Sequence, residues 1–135
     1  MKLFTDEQYR QLLKNGQPEH TDQDHPPVVK LVLPGTDCIW LLSEIDPDNK
    51  DIAFGLCDLG MGFPELGYVS LNELRQVTTP VLGFAVQRAA FFEAGYPMSV
   101  YADAARIKEA ITEDERLLQQ CHFKQQQKKQ NKLRP

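Results

Sequence analysis

The residues with chemistry in them are few and mostly acidic. Glu44, Asp58 and Glu65 fall around one apolar segment, and carboxylates so grouped are the raw material of acid–base work or of a ligand site. Trp40 or Tyr68 would supply an apolar wall, and Phe63 completes the set of candidate binding residues. A glycosidase-type carboxylate pair must stand roughly 5–9.5 Å apart. The expected strand register sets Glu44 and Asp58 at opposite ends of a hairpin and on opposite faces, so these two do not make such a pair. Asp58 and Glu65 would approach across a glycine loop, where the plainer role is to cap loop amides.

Other clusters fare worse. His20-Thr21-Asp22-Gln23-Asp24-His25 holds metal-ligand types, but its spacing matches no zinc motif and it lies in a proline-flanked loop. Asp46-Pro47-Asp48-Asn49-Lys50-Asp51 lacks the glycine and distal glutamate of a calcium loop and reads as a turn. Gly60-Met61-Gly62 has acidic neighbours and no Lys-Ser/Thr partner, which excludes a phosphate cradle. Cys57 falls on the expected core face beside Asp58, a neighbour that raises a thiol's pKa, and is read as structural. No serine–histidine–acid arrangement stands out. No catalytic residue, metal or cofactor is therefore expected, and the balance is against an enzyme.

The chain that must position these residues has 135 of them, 41% apolar and 25% charged, the profile of one soluble domain. Three cysteines without a C-x-x-C pair argue against a disulfide framework and for a reducing, cytoplasmic setting. No apolar run approaches the roughly 18 residues of a membrane span, and the N-terminus does not read as a secretory signal. Residues 124–135 carry five basic residues and no acid. That leaves ten basic against nineteen acidic residues in 1–123, a body of formal charge −9. Such a field disfavours nucleic acid except through the tail.

The expected fold is α+β. A single domain over 1–112 holds an antiparallel meander of four to five strands with an N-terminal helix and one or two C-terminal helices. Residues 113–135 add a C-terminal helix and a basic, partly disordered Gln/Lys-rich tail. Thr5 and Gln8 have capping-box spacing, with Phe4 and Tyr9 placed as a hydrophobic staple. VVKLVL (28–33), CIWLLSEI (38–45) and IAFGLCDL (52–59) read as strands joined by turns. With Leu33 opposite Cys38 and Ile45 opposite Ile52, one face carries Leu31, Trp40, Leu42, Ala53, Gly55 and Cys57, broken only by Glu44. The other face, with Ile39, Leu41, Ile45, Phe54 and Leu56, is too apolar to stay wet and needs a cover. Candidates are 84–94, itself read as a strand, and a last helix bearing Leu117 and Leu118, expected to start at a Thr112/Glu115 capping box. Gly67–Val69 reads as a short strand, Ser70 and Glu73 start a brief helix, and another opens at Pro97–Ser99.

The blocks Trp40-Leu41-Leu42-x-Glu44, Phe54-Gly55-Leu56-Cys57-Asp58-Leu59-Gly60 and Pro64-Glu65-Leu66-Gly67 resemble the bacterial domain-of-unknown-function family 2958. The likeness extends over about residues 3–107, from TDEQYRQLLKNG to PMSVYADAAR. It implies an accessory protein carried on plasmids or integrative elements and names no activity. The expected function is a non-enzymatic protein-interaction or regulatory module. One alternative is a small enzyme or ligand-binding domain built on Glu44, Asp58 and Glu65. Another is an anti-defence protein acting as a weak DNA mimic. A protein partner is expected, with self-association left open and no membrane association.

Overall fold

A computed structural model describes residues 2–132. The architecture is α+β, one five-stranded antiparallel sheet with helices on both faces. The first helix, α1 (Asp6–Asn15), starts as its sequence dictates. Thr5 Oγ1 accepts from the Gln8 amide (3.0 Å) and Gln8 Oε1 accepts from the Thr5 amide (2.9 Å), while Phe4 stacks near Tyr9. The sheet is built from β1 (Val29–Val32), β2 (Ile39–Ile45), β3 (Ile52–Asp58) and β4 (Glu65–Ser70), with β5 (Gln87–Arg88) on the far edge, in the order β4-β3-β2-β1-β5. The remaining helices are α2 (Leu71–Gln76), α3 (Met98–Lys108) and α4 (Glu115–Lys132).

The β1–β2 register is the expected one, and so is the first half of β2–β3: Trp40 lies opposite Cys57 and Leu42 opposite Gly55. Beyond Leu42 the register shifts by one, so that Glu44 pairs with Phe54 and Ile45 with Ala53 rather than Ile52. Ser43 is the extra residue of a β-bulge. The bulge removes the one flaw in the expected core face, for it turns Glu44 to the second face and buries Ile45 in the first core. Asn15 of α1 accounts for the backbone there, its Nδ2 donating to the buried Ser43 carbonyl (2.9 Å). Gly55 is obligatory beside the bulge, because a Cβ at that position would lie 1.9 Å from the Leu41 carbonyl oxygen.

The first core joins Val29, Leu31, Trp40, Leu42, Ile45 and Ala53 to Leu12 of α1 and to Leu71 and Leu74 of α2. Around Leu41 and Leu56 the second face is covered by the chain itself. Leu41 and Leu56 pack with Met98, Tyr101 and Ala105 of α3 and with Leu118 and Cys121 of α4. The expected 84–94 strand shrinks to the two residues of β5. Of its three phenylalanines, Phe92 packs on the second core, while Phe84 and Phe91 are exposed. Pro80, Gly83 and Gly95 surround this segment with residues poor at holding a strand, which limits the pairing. The start of α4 also differs from expectation: Asp114, not a Thr112/Glu115 box, receives the Arg116 amide (3.1 Å). The helix then runs into the Gln/Lys stretch as far as Lys132. Side-chain packing fades after Gln125, whose Nε2 donates to Asp103 (2.7 Å). Residues 133–135 of the tail lie outside the described residues.

The loop before β1 has a structural task. Pro97 at the start of α3 offers no side-chain cap, and Asp24 supplies one from a distance, accepting from the Ser99 amide (3.0 Å) and hydroxyl. The His25 carbonyl takes the Met98 amide (2.9 Å). Asp24→Ala is expected to lower unfolding free energy by about 1 kcal/mol, the usual worth of a helix cap, in a urea titration. An unchanged midpoint would show the cap to be idle.

Candidate functional site

The bulge at Ser43 makes the arrangement around Glu44. Glu44, Phe54 and Tyr68 are successive cross-strand partners on β2, β3 and β4, so a carboxylate and two aromatic rings form one row across the second face. The Phe54 and Tyr68 rings are tilted with centroids 5.2 Å apart. This end of the face lies outside the core built by α3 and α4. A groove of about 270 Å³ runs here between Glu44, Thr21, Phe54, Tyr68 and the Asp46–Asp48 turn. Partial burial pushes the Glu44 carboxyl above its ordinary pKa, opposed by the hydrogen bond from Thr21 Oγ1 (3.1 Å) and by His25 nearby.

Asp58 is on the same face as Glu44, not the opposite one, again because of the bulge. It pairs with Ile39, four residues along β3 from the partner of Glu44, which is about 13 Å at the rise of a strand. Its side chain is 1% exposed and both oxygens are taken: Oδ1 by the Gly60 amide (2.8 Å) and Oδ2 by the Ile111 amide (2.9 Å). Gly60 comes next in the turn with φ +78°, which explains the glycine without any phosphate. Glu65 lies opposite Cys57, hence on the other face from Asp58, and is exposed. The three carboxylates do not converge. Cys57 is half-buried, and burial pushes its thiol up to about 11; burial also raises Cys121, helped by Asp103. Ellman's reagent at pH 8 is therefore expected to label Cys57 and Cys121 far more slowly in the native protein than after unfolding. Labelling of native Cys57 at the rate seen in the unfolded chain would contradict this.

Phe63 and Tyr68 share a different property. Phe63 is 80% exposed, Met61 75% and Tyr68 75%, with Leu59 and Leu66 also in solvent. These residues occupy the β3–β4 loop and β4 itself, the free edge of the sheet. The Leu71 amide donates to the Asp51 carbonyl (2.7 Å), flanking the Ile52–Ser70 pair, and this fixes the phase of the ladder. Glu65, Gly67 and Val69 turn their backbone groups towards β3, whereas Leu66 and Tyr68 turn N–H and C=O outward, where no strand of the described residues lies. Leu59, Met61 and Leu66 are not among the residues that sequence reasoning singles out. Their signal is large apolar residues in and just after a glycine–proline turn, Leu59 and Met61 in the turn and Leu66 at the start of β4.

No helix among the described residues is long and apolar enough to cross a membrane. No curated protein and no solved structure matches the chain. A family model described as "Protein of unknown function (DUF2958)" matches residues 3–112, which takes in the sheet, the Glu44 row, the Asp58 turn and the exposed edge. The chain thus belongs to the DUF2958 family.

Proposed function

We propose that this protein is a non-enzymatic protein-interaction module, serving as an accessory of a mobile genetic element. The observation that carries the reading is the exposed apolar row Leu59, Met61, Phe63, Leu66 and Tyr68 at a free sheet edge. Large apolar groups gathered on one edge lower their free energy by meeting another surface. The carboxylates support the same reading. Glu44 and Asp58 stand about 13 Å apart by strand rise, wider than the roughly 5–9.5 Å of a carboxylate pair, and the Asp58 oxygens already hold amides. The mobile-element setting comes from the family resemblance alone.

The test places a photo-crosslinking benzoylphenylalanine at Phe63 in the native host, with Phe123 on α4, itself 63% exposed, as the control. A discrete adduct from position 63 that is lost with Met61→Asp, and none from position 123, is the expected result. Equal adducts from both positions, or none from either, would overturn the reading.

A further inference from the structure

We propose that β4 is the seam of a two-fold dimer, in which the β4 edges of two copies pair antiparallel about Gly67 and the sheet continues from one copy into the next. This partner rests on reading the same edge as an interaction surface.

The backbone phase carries the inference. Leu66 and Tyr68 present two donors and two acceptors outward on a six-residue edge strand, while the opposite edge of the sheet is the two-residue β5. An unpaired edge of that length is a template for another strand. With the two-fold axis at Gly67, Leu66 of each copy faces Tyr68 of the other, and the four outward groups of each copy are satisfied by the other's four. The side chains agree with this register. Leucine meets tyrosine on one face, a favourable cross-strand pair. On the other face Glu65 lies across from Val69, so no like charges are opposed. Gly67, at the point of closest approach, has open space where a side chain would stand. Ser70, which caps α2 through the Glu73 amide, stays clear of the four central bonds.

Gly67→Cys gives a direct test. Cα atoms of a non-hydrogen-bonded antiparallel pair lie about 4.5 Å apart, inside the range a disulfide spans. Glu65→Cys is the control, since the two copies of that position would stand about 13 Å apart. Mild oxidation of Gly67→Cys is expected to yield a disulfide-linked dimer beyond the wild-type level, and Glu65→Cys none. Sedimentation of the wild-type chain at micromolar concentrations is expected to approach twice the 15.4 kDa chain mass. Leu66→Pro, which deletes an outward donor and leaves the β3 ladder its bonds, should return the mass of one chain. A folded Leu66→Pro of unchanged dimer mass, equal linking at positions 65 and 67, or a single-chain mass throughout would overturn the dimer. A monomer that still gives the Phe63 adduct would remove the dimer and leave the interaction module standing. A dimer without that adduct would remove the wider module.

Discussion

Trp40→Ala is expected to lower the free energy of unfolding by about 3–5 kcal/mol, the range for deleting a large aromatic from a packed core. Trp40 is 4% exposed, between Leu31 on β1 and Cys57 on β3, with Leu42 beyond. Its cavity would open at the middle of the sheet, where the neighbouring strands are fixed by their ladders and cannot collapse inward. At the entropy of unfolding typical of a chain this size, the melting temperature should fall by on the order of 10 °C. The same residue offers a check without mutation, since it is the only tryptophan. Its emission should be blue-shifted and resistant to iodide in the native protein. Red-shifted, readily quenched fluorescence would mean that the register of β1, β2 and β3 is wrong.

Asp58→Ala is expected to cost about 2 kcal/mol, because it strips the acceptor from the buried Ile111 amide, and an unsatisfied buried donor costs about 1–3 kcal/mol, while the amide of the exposed Gly60 can turn to water. The Gly60 amide belongs to the β3–β4 loop and the Ile111 amide to the α3–α4 connection, so one carboxylate ties two distant segments to the end of β3. Asp58→Asn, which keeps one acceptor oxygen, should lose about half as much. Urea titration measures both, and hydrogen exchange adds a local readout: the Ile111 amide should lose protection in Asp58→Ala. A variant as stable as wild type, with Ile111 still protected, would remove Asp58 from its structural role. It would also return that carboxylate to the pool of groups free to meet a ligand.

Features that rest on short range or on alternation were legible in the residues alone. The Thr5–Gln8 box, the Ser70 cap of α2, the three central strands and the pairing of Trp40 with Cys57 all depend on residues a few positions apart or on a period of two. The family resemblance was legible for the same reason, carried by the strand and turn blocks 40–44, 54–60 and 64–67. The bulge at Ser43, by contrast, is a property of the assembled fold. A single inserted residue has no signature in an apolar run, and its backbone is satisfied by Asn15, 28 residues away. That one residue settled the faces of Glu44 and Ile45, brought Glu44 beside Phe54 and Tyr68, and put Asp58 on the same side as Glu44. The cap of α3 was hidden likewise, since Asp24 reaches Ser99 across 75 positions. The free edge at Leu66 and Tyr68 depended on strand order, which local pattern does not encode. Which strand ends a sheet is set by how the whole chain covers its two faces, and here the chain leaves β4 for α2, whose Leu71 and Leu74 pack into the first core, so that no strand of the described residues lies beyond β4.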